Sequence, residues 1–505
     1  MNEKKLPVVG VVGAGTMGAG IAQIAAAAGH EVWLLDAREG AAGAAIAKTA
    51  DALGSLVTRG KLDAAARDAT CARLRAASTV QDLAGCGVVV EAIVEDLDAK
   101  RALFARLESV VGEDAILATN TSSISVTAIA NGLRRPQRLA GMHFFNPVPL
   151  MKLVEIVSGL ATDRAVADTL FALAQAWGKV AVHARSTPGF IVNRIARPLY
   201  AETLALLHEQ RATPAVIDAC MRAAGFRMGP CELMDLIGHD VNFAVTQSVF
   251  AANFNDRRFV PSAVQQELVD GGLLGRKSGR GFYAYQDGKA VVDPLPAAPG
   301  ETPVGSAVVH GQNRIADRLA ESLTRVGMHV TRAHDEARTG VRLGALSLWL
   351  TDGDCAGHIA AHERHAAVGV FDLPLDPAGT GALAVAFAHT CPDEARQLGL
   401  SALAACGWQP LEISDTPGLV VARTIAMLVN EAADAVQQGV CSPEAADLAM
   451  KLGTNYPAGP FEWLQALGVP RVLRLLGTLA RDVSPERYRA SPWLRERGWA
   501  AGCDD

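Results

Sequence analysis

The chain has no surplus of positive charge. Its 47 Lys and Arg stand against 53 Asp and Glu, a formal net charge of −6. No basic field exists to hold nucleic acid or an anionic membrane, so neither partner is expected. No apolar run approaches the ~18 residues of a membrane-crossing helix. The nine cysteines are odd in number, and none is spaced as a CxxC pair or a zinc knuckle. A disulfide framework is not expected, and a reducing cytoplasm is. Met1 to Lys5 lead straight into a strand-like stretch, without the apolar core and cleavage site of a signal peptide. Collagen, coiled coil, secreted mini-protein and membrane protein are excluded together.

What remains is a long globular chain. Its 505 residues correspond to about three domains. Residues 1–186 alternate short β-branched runs with helical stretches. Strands are expected at Val8–Val12, His30–Asp36, Val88–Ala92, Ala115–Thr119, Leu139–Phe144, Leu153–Val157 and Val180–His183. That alternation predicts βαβ units and a mostly parallel sheet. Residues 187–286 lose the strand signal and predict an all-helical domain. Thr213 and Pro214 are the expected N-cap and first residue of one of its helices. Residues 287–303 hold Pro294, Pro296, Pro299 and Pro303 among alanine and glycine, the composition of a linker. Residues 304–413 mix strand and helix signals, with strands expected at Leu346–Leu350 and Ala367–Phe371.

An internal repeat organises the rest. Ser186-Thr-Pro-Gly-Phe-Ile-Val-Asn-Arg194 returns as Asp415-Thr-Pro-Gly-Leu-Val-Val-Ala-Arg423. Gly229-Pro-Cys-Glu-Leu-Met-Asp-Leu-Ile-Gly238 returns as Gly459-Pro-Phe-Glu-Trp-Leu-Gln-Ala-Leu-Gly468. The offsets, 229 and 230 residues, agree. Residues 414–505 are therefore a second copy of the helical domain.

Chemistry enters with Gly13-Ala14-Gly15-Thr16-Met17-Gly18, between the first strand and the first helix. The first glycine allows the turn, the second lets backbone approach a pyrophosphate, and the third lets helix and strand pack closely. The helix N-terminus offers N–H groups to the diphosphate. Asp36 ends the next strand, where a carboxylate accepts hydrogen bonds from ribose hydroxyls. Its charge repels a 2′-phosphate, so NAD is expected rather than NADP. Arg38 nearby speaks the other way.

Further along, several residues each have two readings. His143, in Met-His-Phe-Phe-Asn-Pro, is a structural histidine or a base. Glu155 lies between β-branched neighbours. It is the partner that makes His143 basic, or a solvated carboxylate on an edge strand. Thr119-Asn-Thr-Ser-Ser123 faces a ligand crevice or merely caps a turn. Asn193 binds substrate, or simply caps or bridges the two domains. Glu91, Glu95 and Lys100 meet the nicotinamide ribose or form a solvated helical turn. Lys277 reaches a phosphate or stays in water, as do Arg59 and Lys61 toward an anionic carrier. His358, His362 and His365 have a loosely helical spacing without a carboxylate pattern to make a metal site.

Taken together, these strings resemble the 3-hydroxyacyl-CoA dehydrogenase family. They are GAGTMG at 13–18, VEAIVED at 90–96, TNTSSIS at 119–125, HFFNPVPLMKLVEIV at 143–157, TPGFIVNR at 187–194 and GRKSGRGFY at 275–283. The resemblance implies a Rossmann-type first domain followed by an all-α domain, then a degenerate α/β remnant and the second all-α copy. It implies NAD as cofactor and an acyl-CoA as substrate. It implies His143 as base, Glu155 as its orienting partner, and Ser122 and Asn193 as substrate contacts. Glu95, Lys100, Ser122, Asn146 and Lys277 match the family's further cofactor contacts. Lys61 is an approximate match to a CoA contact. The chain as a whole resembles a subgroup from aromatic-acid catabolism that oxidises 3-hydroxyadipyl-CoA or 3-hydroxybutyryl-CoA. Ala422 replaces Asn193 in the second copy, and residues 304–413 hold no GxGxxG, so one active site is expected. The single-copy members of the family dimerise through the helical domain. A homodimer, or an internal pseudo-dimer made by the two copies, follows as an expectation. Two rival readings are a non-catalytic NAD-binding protein and a dehydrogenase of a free 3-hydroxy acid.

Overall fold

The computed structural model describes residues 6–333 and 338–502. Cys503 lies outside them. Two compact units divide the chain. One comprises Met1–Arg194 with Gln438–Thr454, and the other Ile195–Gln437 with Asn455–Asp505.

The first unit is built on eight strands: β1 (Val9–Val12), β2 (Val32–Leu35), β3 (Leu74–Ala76), β4 (Val88–Glu91), β5 (Ile116–Thr119), β6 (Leu139–Phe144), β7 (Leu153–Ser158) and β8 (Val180–Arg185). Their order is β3-β2-β1-β4-β5-β6-β7-β8. All neighbours are parallel except β6 and β7. Strand order reverses between β1 and β4, and ligands of such sheets bind beyond the strand ends at that reversal. Val9, Val11, Ile21, Val32, Leu34, Val90, Met142 and Ile156 are buried in one core. The helix Thr16–Ala27 is rich in alanine and glycine, which lets it lie close to its neighbours. A Cβ on Gly20 would stand 2.8 Å from the Val148 side chain.

This unit also contains a piece of the second helical copy. The helix Pro443–Thr454 packs on β7 and β8. Ahead of it, the carbonyl of Val440 accepts from the Arg185 N–H at 2.9 Å, and Gln438 accepts from the Arg194 guanidinium at 2.8 Å. At its end, a Cβ on Gly453 would lie 2.8 Å from Leu153 and 3.0 Å from Val192.

The second unit holds the first helical copy, with helices Arg197–His208, Pro214–Ala223, Pro230–Ile237, His239–Ala252 and Ala263–Asp270. Thr213 caps the second of these through its side chain, and Pro214 opens it. A hairpin follows, β9 (Ala284–Gln286) and β10 (Lys289–Val291). It corrects the reading of 287–303 as linker throughout, because short polar strands leave no apolar alternation to detect. Then comes a seven-stranded sheet: β11 (Ser306–His310), β12 (His329–Arg332), β13 (Gly340–Leu343), β14 (Leu346–Leu350), β15 (Val368–Phe371), β16 (Ala382–Phe387) and β17 (Gln409–Glu412). Its order is β12-β11-β13-β14-β15-β16-β17, with three antiparallel pairings.

The remaining helices of the second copy are Val421–Gln437, Pro460–Leu467, Val469–Asp482 and Pro492–Ala500. The copies meet reciprocally within this unit. Arg197–His208 packs along Val421–Gln437, its repeat mate. Glu202 of the first copy pairs with Arg487 of the second at 2.9 Å. Glu431, the mate of Glu202, pairs at 3.3 Å with Arg258, the mate of Arg487. Phe226 meets its own mate Tyr456 with ring centroids 5.0 Å apart. Such exchange of partners is the signature of a two-fold interface. The sheets show it too. Pro214–Ala223 packs on β16, while its mate Pro443–Thr454 packs on β7 and β8 of the other sheet.

Candidate active site

The glycine-rich turn leaves β1 with Gly13 at φ +108°, where a Cβ would fall 2.3 Å from the Ala92 carbonyl. A Cβ on Gly18 would lie 1.8 Å from the Gly13 carbonyl. Gly15, by contrast, faces open space, with nothing within 4 Å of a Cβ built there. The helix that follows has no side-chain cap and no acidic residue in its first turn. Its N-terminal N–H groups remain for an anion. Asp36 closes this cradle. One of its oxygens accepts from the Ala14 N–H at 2.7 Å, and the other from the Arg38 N–H at 3.0 Å and Nε at 3.1 Å. Burial alone would raise the Asp36 carboxyl. The bonds from Ala14 and Arg38 outweigh it and hold the carboxyl below its ordinary range. A room-making Gly15, an uncapped helix and an ionised Asp36 fit NAD.

Three strands over, the antiparallel pairing of β6 and β7 sets His143 opposite Glu155. Directly opposed residues share a face of the sheet. His143 Nδ1 lies 2.6 Å from Glu155 Oε2, with the histidine 5 % and the glutamate 0 % exposed. The other carboxylate oxygen accepts from the N–H groups of Ile191 at 3.1 Å and Val192 at 2.9 Å. Glu155 thus orients the imidazole and caps the helical turn Val192–Ile195, which carries Asn193. With Nδ1 engaged, Nε2 is the nitrogen left for proton exchange. The rings of Phe145 and Phe190 pack on His143, centroids 4.6 and 5.8 Å away.

Asn193, half-buried, points its amide at the Ser122 carbonyl, 3.5 Å away. Ser122 lies in the loop after β5, and Glu95 gathers that loop. Glu95 Oε1 accepts from the Thr121 hydroxyl at 2.6 Å, and from the N–H groups of Ser122 at 2.9 Å and Ser123 at 3.1 Å. Burial would raise the Glu95 carboxyl. The Thr121 hydroxyl and the Lys100 ammonium, with Ser122, outweigh it and lower it. Asn120 ties the same loop to β6 by accepting from the Phe144 N–H at 2.9 Å.

The other expected contacts fall less uniformly. Lys100 is 1 % exposed and Glu91 0 %, so a solvated helical turn is the wrong description of them. The helix there starts later, at Leu97, with Asp96 as its cap. Asn146 is exposed in the turn after β6, and Lys61 is exposed after the helix Ala41–Thr58. Lys277 belongs to the second unit, where it pairs with Asp240 at 2.5 Å. Its glycine-rich turn wraps Asp235. That carboxylate accepts from the Phe282 and Tyr283 N–H groups, and a Cβ on Gly281 would stand 2.0 Å from it. Asp235 stands inside the repeated string Gly229–Gly238, which marks the repeat and not this contact.

The second half repeats the scaffold and not the chemistry. Gly141 faces Val157 and Gly369 faces Phe387, each without room for a Cβ. Two residues on, Phe371 faces Val385 where His143 faces Glu155. Asp372 keeps only the capping duty, accepting from the N–H groups of Val420, Val421 and Ala422. Burial pushes its carboxyl up to about 6, against those bonds. The helix after β11, Arg314–Arg325, has its N-terminus occupied by the Asn313 side chain, which accepts from Ile315 and Ala316. The corresponding helix after β1 keeps its N-terminus open.

Comparison with known proteins gives one answer. The NAD binding domain of 3-hydroxyacyl-CoA dehydrogenase matches residues 8–187. The C-terminal domain of that enzyme matches twice, at 189–285 and 418–500. The reduced Rossmann-fold domain of 3-hydroxybutyryl-CoA dehydrogenase matches 348–417. The 3-hydroxyadipyl-CoA dehydrogenase of Escherichia coli (strain K12) is 45% identical over 491 residues, 97% of each chain. The crystal structure of a 3-hydroxybutyryl-CoA dehydrogenase from Escherichia coli K12 superposes with a TM-score of 0.89 at 43% identity, covering 99% of this chain and all of that one. The 3-hydroxybutyryl-CoA dehydrogenase of Clostridioides difficile is 40% identical over 276 residues, 54% of this chain and 98% of that one. The chain belongs to the 3-hydroxyacyl-CoA dehydrogenase family, as an NAD-dependent enzyme with a doubled helical domain.

Proposed function

We propose that the chain oxidises the 3-hydroxyl of a (3S)-3-hydroxyacyl-CoA to the 3-oxoacyl-CoA, with 3-hydroxyadipyl-CoA as its preferred substrate. The observation that carries the reaction is the buried His143–Glu155 pair at 2.6 Å, three strands from the NAD cradle. NAD supplies the acceptor for the hydride that leaves C3, held by the glycine turn and Asp36. His143 Nε2 takes the hydroxyl proton as the carbonyl forms. Glu155 stabilises the imidazolium that results. Ser122 and Asn193 hydrogen-bond the substrate and hold its reacting carbon in place.

The adipyl preference is supported by a relative that matches this chain along its whole length and bears that substrate in its name. An adipyl preference goes with a role in the breakdown of aromatic acids such as phenylacetate. The reciprocal contacts of the two helical copies support an internal pseudo-dimer, in which the second copy stands in for a partner subunit. A cytoplasmic location goes with this reading. The eight cysteines among the described residues are free, which suits a reducing compartment, and no helix among those residues is long and apolar enough to cross a membrane.

The substrate claim is tested by NADH formation with 3-hydroxyadipyl-CoA and (3S)-3-hydroxybutyryl-CoA side by side. The expected kcat/KM ratio favours the adipyl thioester by about tenfold or more, since a site built for a polar group discriminates strongly against substrates lacking it. A ratio at or below one would give the chain to the butyryl thioester.

A further inference from the structure

We infer that Gln438 and Gly453, both from the second helical copy, are positioning residues for the turn that carries Asn193. They act on the reaction through Arg194 and Val192. That turn needs holding. Phe190, which packs on His143, stands at φ +47°. A side chain in this left-handed conformation is strained, and it persists where its surroundings fix it. Directly after it, the N–H groups of Ile191 and Val192 donate to Glu155 Oε1. Asn193 follows in the same turn and aims its amide at the Ser122 carbonyl. A shift of the turn therefore moves a substrate contact together with the carboxylate that orients the base.

The second copy holds this turn at two points. The Arg194 guanidinium, on a residue 3 % exposed, donates to the exposed Gln438 side chain at 2.8 Å. Gly453 lies against Val192 and Leu153, and a Cβ there would stand 3.0 and 2.8 Å from their side chains. A glycine within a helix weakens it, and the room it leaves here is filled by Val192. Between the two points, the Val440 carbonyl accepts from the Arg185 N–H, where β8 ends and the chain enters the turn. The repeat shows that this contact is matched to the working site. Ala224, Leu383 and Val421 are the mates of Gly453, Leu153 and Val192, at the same offsets of 229 and 230 residues. They line one small hollow in the second unit. The mate beside the second sheet carries a methyl group, and the residue beside Glu155 and Asn193 carries none.

The test uses the full chain and rests on the proposed reaction for kcat alone. Gly453→Val is expected to lower kcat by about 10–100-fold, as for a misplacement of about 1 Å. NADH affinity, measured by fluorescence titration, stays within about threefold of wild type, because the change touches the reacting step and not the cofactor cradle. Amide exchange at Ile191 and Val192 becomes faster. Adding Val192→Ala gives back the room and restores part of the lost kcat, as for residues in contact. Ala224→Val, the like change at the mate, keeps kcat within about twofold of wild type, as for an independent site. If Gly453→Val does not fold, Gly453→Ala and Gln438→Leu carry the test, each with a loss in kcat of about threefold or more. Wild-type kcat in the Gly453 and Gln438 variants overturns the inference. So does an equal loss in Gly453→Val and Ala224→Val, which marks a general loss of stability. Were the wild type to turn over no hydroxyacyl thioester, the reaction would be wrong, and exchange at Ile191 and Val192 would still decide. Faster exchange in the variants supports the positioning role, and unchanged exchange overturns it.

Discussion

His143→Gln lowers kcat by about 10²–10⁴-fold while leaving the KM for the acyl thioester near its wild-type value. Glutamine keeps much of the volume of the imidazole between Phe145 and Phe190, and it can still donate to Glu155. It cannot take a proton. The loss is therefore confined to the step in which the hydroxyl gives up its hydrogen, and an interaction made only in that step shows in kcat rather than in KM. Glu155→Gln is a different experiment. It weakens the imidazolium and also loosens the N–H groups of Ile191 and Val192 that the carboxylate caps. Its effect should spread to the contact made by Asn193. Steady-state NADH formation separates the two. Normal turnover by His143→Gln would remove the general-base role and the mechanism with it.

Glu202→Gln should destabilise the second unit by about 3–5 kcal/mol, the cost of breaking a buried charge pair on one side. Glu202 is 0 % exposed and accepts from Arg423, Arg487 and Tyr488, each at 2.9 Å. Arg423 is itself fully buried. The amide would leave its guanidinium without the carboxylate it pairs with, while its other nitrogen still donates to the Tyr488 hydroxyl. Calorimetry on the full chain reads this as a lowered melting temperature for one transition. The repeat mate Glu431, buried beside Arg258, should behave alike on substitution. The pH dependence has a defined sign. Burial would raise the Glu202 carboxyl, but Arg487 and Arg423 outweigh it and lower it. The stabilisation is present above the ordinary glutamate value and is lost as pH falls through the depressed one. The difference between wild type and variant shrinks in acid accordingly. Unchanged melting in both variants would mean that the interface between the copies does not depend on these pairs.

The glycine turn, Asp36 and the strand order around them were legible because their signal is local. Turn, helix start and terminal acid lie within one βαβ unit, and backbone geometry leaves few other uses for that pattern. His143 and Glu155 were legible as a pair only through the family string. Their opposition depends on the β6–β7 register, and a histidine twelve residues before a glutamate has no meaning until that register is known. Glu91 shows why the rest was hidden. A glutamate at the end of a strand looks like any other, and its partners Thr119 and Lys100 are brought to it by the parallel sheet and the following helix. Strands β11, β12, β13 and β17 are hidden because their short, partly polar runs give neither clean alternation nor a buried-strand signal, and β16 because its apolar run, half alanine, does not separate a buried strand from a helix. The repeat revealed the second helical copy. It could not reveal the exchange, in which the helix Pro443–Thr454 joins the first sheet and Pro214–Ala223 the second.

The central claim is that two copies of one scaffold make one working site, with the second copy serving as an in-chain partner. Calorimetric titration of the full chain with NADH tests it most directly. The account predicts one NADH per chain, because Asn313 occupies the second helix N-terminus and Phe371 and Val385 stand where a histidine and a glutamate would be needed. A stoichiometry of two would contradict it.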